Sequence, residues 1–143
     1  MDRDGLPLSK VILHLDRRSR QQSQWLIDNG GLEEFRSITG NPPIPGGISV
    51  TSMLWIKDQM DGHIPGDSVF GHAVTFFIKR LTGNFYIDPS NASFTGLYNT
   101  LEYSDWNGEL LSKTGIDKKH LPEILDSFSI AGSLKQNIAN ELG

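Results

Sequence analysis

Residues 14–19, HLDRRS, put an imidazole, a carboxylate and a guanidinium side by side at His14, Asp16 and Arg17. If a strand ends in His and Asp just before a helix, those side chains stand at the carboxyl edge of a sheet, where open α/β folds bind ligands. Taken alone, the segment reads first as a helix N-cap at Asp16 followed by solvated arginines. A hydrolytic group of His14, Asp16 and Arg17 finds no supporting spacing elsewhere in the chain. A second polar concentration lies in residues 87–99, IDPSNASFTGLYN. Asp, Ser and Asn bond their own backbone and Pro presets φ, so D-P-S-N reads as a turn after a strand. The N-glycosylation pattern at Asn91 has no secretory context and is treated as accidental.

Other chemistries are excluded or unsupported. The chain has no cysteine, so disulfides, zinc-thiolate sites and thiol catalysis are ruled out. No phosphate loop, dinucleotide fingerprint, nucleophile elbow or H-E-x-x-H zinc motif occurs. His14, His63, His72 and His120 are too far apart for a local metal box. His63 and His120 sit in polar sequence and read as solvated, and His72 as a hydrogen-bonded structural histidine. With 13 basic and 17 acidic residues and a net charge of −4, nothing marks a nucleic-acid or acidic-membrane partner. No apolar run approaches the ~20 residues of a membrane span, and the N-terminus lacks a signal-peptide core. A cytoplasmic location is expected.

The elements that must position these residues follow from periodicity and punctuation. At 143 residues the chain amounts to one domain's worth of sequence. Residues 2–7, DRDGLP, read as a turn feeding a strand, KVILHLD, at residues 10–16. Such a turn joins two strands, yet only Met1 precedes it, so the chain is expected to be cut from a longer one. A helix is expected over residues 17–29, capped by Asp16, with Trp25 and Leu26 inward and Gly30-Gly31 ending it. Its three first-turn arginines oppose the helix dipole. LEEFRSITG gives a second helix and NPPIPGG a rigid loop. Residues 49–59 have amphipathic periodicity, with Val50, Met53 and Leu54 as the stripe. SVFGH reads as strand-like, AVTFFIKRL as a mostly buried helix closed by Gly83, and LYNTLEYSDW as containing a short strand. Asp105 is expected to cap a helix in WNGELLSKTG, and LKQNIANELG forms the last helix. Alternating short strands and helices argue α/β, with much helix.

Together these segments resemble one family. Strand-HLDRRS, ITGNPP, SMLWIK, FFIKRLTGNFYIDPSNASFTGLYNT, WNGELLSKTGIDKKHLPEI and SIAGSL resemble, in that order, the FGGY carbohydrate kinases. The most specific parts are RLTGNFYIDPSNASFTGLYN and the pattern from Trp106 to Pro122. The resemblance implies part of the first of two actin-like, ribonuclease H-like domains, in enzymes that move the ATP γ-phosphoryl group to a hydroxyl of a sugar or polyol. It implies that HLDRRS faces the sugar, with His14, Asp16 and Arg17 as substrate-binding residues. His14 falls where several members carry a sugar-contacting Trp, and Thr75 where many carry an Asp. The turn at residues 88–93 becomes part of the cleft wall. There Ser90 and Asn91 support the substrate contacts, while Phe94 and Tyr98 anchor the turn in the core.

The family's Asp-x-Gly-Thr phosphate hairpin, its Gly-Gly-x-Asp base segment and its second domain are absent from these 143 residues. The chain is therefore expected to be an interior piece, inactive alone, with ATP and Mg²⁺ belonging to the full-length enzyme. The alternative is a non-catalytic sugar-binding or assembly module on the same subfold, burying its exposed strand by homodimerising.

Overall fold

Seven α-helices and two short strands are arranged along residues 1–142, which the computed structural model describes. The first helix, α1, is Arg20–Gly30, and it ends where Gly31 takes a positive φ of 76°. Leu32–Thr39 (α2) carries Glu33 and Glu34 in its first turn, where the helix dipole favours anions, and closes on a left-handed Gly40. Ser49–Gln59 (α3) spans the residues its periodicity marks out, and buries Val50, Met53 and Leu54. Ala73–Thr82 (α4) closes on Gly83. It is more amphipathic than its composition suggests, since Phe77 is 60% exposed.

Strand β1, Tyr86–Ile87, runs parallel to β2, Glu123–Ile124, with Ile87 opposite Ile124. Between them lie α5, Pro89–Ser93, and α6, Gly108–Thr114. A 3-10 turn, Lys118–His120, leads into β2, and α7, Gln136–Leu142, follows it. An antiparallel bridge joins Tyr98 to Trp106, whose rings meet edge to face at 6.3 Å. The Trp106 indole N–H donates to the Pro122 carbonyl at 3.0 Å. The core gathers around α3, where Phe35, Ile48, Val50, Ile87, Leu97 and Tyr98 are all buried.

Several local expectations are corrected. Residues 10–15 are not a strand: Val11, Leu13 and Leu15 are exposed, and among the described residues no backbone bond ties residues 8–12 to a neighbour. A β-strand exists only through an inter-strand ladder, which an apolar run does not provide by itself. Residues 68–72 likewise form no named strand, although Val69 exchanges bonds with Met1 and Phe70 donates to the His120 carbonyl. Asp105 is not the cap of α6. Asn107 is, accepting from the Leu110 N–H at 2.8 Å, while Asp105 receives the Trp106 N–H. His120 is buried rather than solvated, with Nδ1 at 2.9 Å from the Ser68 carbonyl.

Thr75 on α4 is fully buried, and its Oγ1 has no hydrogen-bond partner. An unpaired buried hydroxyl opposes folding, and valine has the same shape without it. Thr75→Val is expected to raise stability by about 1 kcal/mol. The urea-unfolding midpoint checks this, and an unchanged or lower midpoint contradicts it.

Candidate functional site

The HLDRRS loop is built against the start of α3. Asp16 N–H donates to the Leu13 carbonyl at 2.9 Å, turning the chain. The Asp16 carboxylate does not cap α1, whose N-cap is Ser19, with no side-chain bond to the helix N–H groups. Instead it accepts from the Arg18 backbone at 2.9 Å and from the Arg18 guanidinium, with Nη2 at 2.7 Å. These bonds with Arg18 hold the Asp16 carboxyl below the usual carboxylate range. The same guanidinium lies 4.8 Å from the centre of the Trp55 ring, a cation–π contact that ties Asp16 to α3. Arg17 donates from Nη1 to the His14 carbonyl at 3.0 Å and also to the Pro45 carbonyl.

Beneath the loop, Ser19 is buried with its hydroxyl 2.9 Å from that of Thr51. Thr51 in turn accepts from the Gly46 N–H at 3.3 Å. Arg18 and Ser19 are thus engaged, while the Asp16 carboxylate, bonded to Arg18, keeps acceptor capacity to spare. The His14 ring is exposed and makes no hydrogen bond among the described residues, so it is open to a ligand.

The second polar concentration is a helix start rather than a free turn. Asp88 caps α5 by accepting from the Asn91 N–H at 3.0 Å, with Pro89 in the first helical position. Its other oxygen accepts from Asn91 Nδ2 at 2.8 Å. That bond fixes the amide so that Asn91 Oδ1 faces His72 Nδ1, at 3.3 Å. An amide oxygen can only accept, so the proton of neutral His72 sits on Nδ1. Nε2 then accepts from the Ser49 hydroxyl at 2.7 Å.

Serine, histidine and a carboxamide in this order resemble a nucleophile with its base and orienter. The backbone donors that would stabilise an oxyanion are missing, because Ser49 N–H goes to the Phe94 carbonyl and Val50 N–H to that of Thr95. What the chain of bonds does is lock the starts of α3, α4 and α5 together.

Burial pushes His72 below its ordinary value of 6.5, against the opposing effects of Asn91 and Asp88. For a base with a lowered folded-state pKa, the unfolded chain takes up the proton first. Stability is therefore fully present above 6.5 and declines as pH falls below it toward the folded-state value. The lowered carboxylates, Asp16 and Asp105 among them, start from 3.8 and act in a more acidic window. The melting temperature is expected to drop between about pH 7.5 and about pH 5.5, and to drop less in His72→Gln. Equal slopes in the two proteins would contradict this.

His14, Asp16 and Arg17 thus share one loop, while Ser90 and Asn91 sit on α5. The first turn of α3 stands between the two groups. Ser90 is exposed and contributes only its carbonyl, to the Ser93 hydroxyl at 2.7 Å. Phe94 does not anchor the turn, being 55% exposed; Tyr98 does, buried at 1%. Ser49 and the capping role of Asp88 were not foreseen, although Asp followed by Pro is a helix-start signal. Among the described residues no group of three His, Asp or Glu side chains could hold a metal ion. No helix among them is long and apolar enough to cross a membrane.

The whole chain, residues 1–143, matches the FGGY family of carbohydrate kinases, N-terminal domain. It is 29% identical over 143 residues to a xylulose kinase of Staphylococcus xylosus, covering all of this chain and 29% of that one. Against a glycerol kinase of Thermococcus gammatolerans the identity is 34% over 141 residues, covering 96% of this chain and 28% of the relative. The crystal structure of a gluconate kinase from Lactobacillus acidophilus superposes with a TM-score of 0.87 at 24% identity, over all of this chain and 29% of that one. That last likeness concerns the fold, a helix-rich portion of an actin-like ATPase domain. The chain spans under a third of the length of each.

Proposed function

The chain belongs to the FGGY family of carbohydrate kinases, and from that premise we propose that it is the sugar-facing part of the first domain of an ATP-dependent, cytoplasmic sugar kinase. The full-length enzyme would transfer a phosphoryl group to a hydroxyl of a pentulose, hexulose or polyol. The observation that carries the reading is the match to the family along the whole chain.

In this reading His14 meets the sugar first. Its ring is exposed and unbonded, so it can exchange hydrogen bonds with hydroxyls and lie against the apolar face of a sugar. Asp16, kept ionised by Arg18, accepts from a second hydroxyl. Arg17 holds the loop on Pro45 and turns its remaining N–H groups outward. Asn91, through His72 and Ser49, fixes the start of α3 under that loop, and Ser90 shapes the α5 turn beside it.

A magnesium nucleotide is not assigned to these residues. Among those described there is no three-ligand metal cluster, and the sequence has no phosphate-binding hairpin. ATP and Mg²⁺ are accordingly assigned to the rest of a full-length enzyme, and the 143-residue chain is expected to leave ATP intact with any sugar offered.

Titration of the isotope-labelled chain with D-xylulose and with glycerol tests the reading. Resonances of His14 and Asp16 should shift for at least one of them, and Asp16→Ala should weaken that binding about tenfold. Silence at both residues for both compounds would sink the assignment of the loop, and ATP-dependent phosphorylation by the chain alone would sink the inactivity.

A further inference from the structure

His72 is part-buried at the N-cap of α4, where the first turns of α3 and α5 also converge. As a neutral ring it uses both nitrogens, Nδ1 donating to Asn91 on α5 and Nε2 accepting from the Ser49 hydroxyl on α3. An imidazolium donates from both nitrogens and accepts at neither. The Ser49 hydroxyl would then lose its acceptor and have to turn away.

The surroundings offer a charged ring little compensation. Neither α3 nor α4 has an acidic residue in its first turn, and each directs the positive end of a helix dipole at the ring. Asp88, the cap of α5, is the carboxylate that acts on it, but both of its oxygens are already engaged by Asn91. The Met1 ammonium, on the Val69 carbonyl at 3.0 Å, puts a further positive charge on the segment leading into His72. Burial outweighs the pull of Asp88, so the charge is better accommodated with the ring released to solvent.

The turn of α3 that His72 holds also carries the HLDRRS loop. Ser49 and Thr51 both lie in that first turn. Thr51 is fully buried, and its hydroxyl donates to the Ile48 carbonyl at 2.9 Å. The same oxygen lies 2.9 Å from the Ser19 hydroxyl and accepts from the Gly46 N–H at 3.3 Å. Gly46 in turn lies directly against the carbonyls of His14 and Asp16. A helical turn moves as one piece, so a displacement at Ser49 is carried through Thr51 to the loop.

We propose that His72 is a positioning residue that makes the sugar-facing loop proton-sensitive: the neutral ring keeps the start of α3, and through it the loop, in the binding arrangement, and the imidazolium releases it. This rests on the reading of HLDRRS as the sugar contact. Linkage requires the converse, that sugar bound to the loop favours neutral His72 without touching it.

D-Xylulose and glycerol are the probes, titrated into the isotope-labelled chain at about pH 7.5 and about pH 5, below the melting temperature at both. For whichever compound moves the His14 and Asp16 resonances, the Kd should rise about fivefold at the lower pH. In His72→Gln, whose amide can donate and accept but does not titrate, that ratio should fall below about twofold. His14 is ionisable and stands in the loop itself, but it is present in both proteins, so the difference between their ratios belongs to His72. In the parent, the His72 imidazole should titrate at a lower pH with sugar bound than without it. Equal ratios in the parent and His72→Gln, or a His72 titration that bound sugar leaves in place, would overturn the proposal while leaving the loop as the sugar contact. Silence of His14 and Asp16 toward both compounds at the higher pH would overturn it together with that reading. If circular dichroism shows that His72→Gln does not fold, the His72 titration of the parent decides.

Discussion

Gly46→Ala should lift the HLDRRS loop off α3 and cost roughly 2–5 kcal/mol of stability. Two effects add. Gly46 has a φ of +72°, where an L-residue with a β-carbon costs about 1–2 kcal/mol. The added carbon would also lie 2.1 Å from the Asp16 carbonyl oxygen and 2.9 Å from that of His14. Those are backbone atoms of the loop itself, so no side chain can rotate away to make room. The loop must move, and Arg17, which bonds both the His14 and the Pro45 carbonyls, would lose one or both partners. Displacement by an ångström is enough to spoil a recognition geometry. Sugar-induced shifts at His14 and Asp16 should therefore disappear in Gly46→Ala even where the variant stays folded. Gly66→Ala, whose added carbon would meet nothing within 4 Å, is the control and should stay within about 0.5 kcal/mol of the parent. If the Gly46 variant unfolds at the same denaturant concentration as the parent and still binds, the loop is not held in place there.

The division between what was legible and what was not follows the range of the interactions. Helices α2, α3 and α4 could be read because periodicity and a closing glycine are local signals, and Gly40 and Gly83 sit where the last turn needs a left-handed residue. The HLDRRS group could be read for the same reason, its members being contiguous. Caps were harder. Asp105 and Asn107 both have the short polar side chain a cap requires, and what separates them is that Lys118 and the Trp106 N–H engage Asp105. His120 and Phe94 went astray because burial is decided by distant partners: His120 is enclosed where it meets Ser68 and Phe70, and Phe94 only passes its carbonyl to Ser49. The Ser49, His72 and Asn91 connection draws on three helices, and no local pattern announces it. The resemblance to a family supplied the fold class, and this connection lay outside it.

Gly96→Ala strikes the same region from the core side and should be as damaging, at roughly 2–5 kcal/mol. Gly96 has a φ of +74°, and an added carbon would lie 2.4 Å from Ile48 Cγ2, 2.9 Å from Phe35 Cζ and 3.1 Å from Val50 Cγ1. Phe35, Ile48 and Val50 are almost completely buried, so their atoms can yield only by displacing others in a close-packed interior. The residues just before Gly96 hold the start of α3: Phe94 accepts from Ser49, and Thr95 from Val50. A shift there reaches Ser49 and through it His72, so the histidine's titration should move in this variant and stay put in Thr75→Val. Since Ile48 makes the tightest approach, Ile48→Ala removes much of the clash. The double variant should then lose less stability than the two single losses added, a coupling of at least about 1 kcal/mol. Strict additivity would place the damage in the backbone conformation of Gly96 alone, and would remove the packing route by which the core reaches the α3 N-terminus.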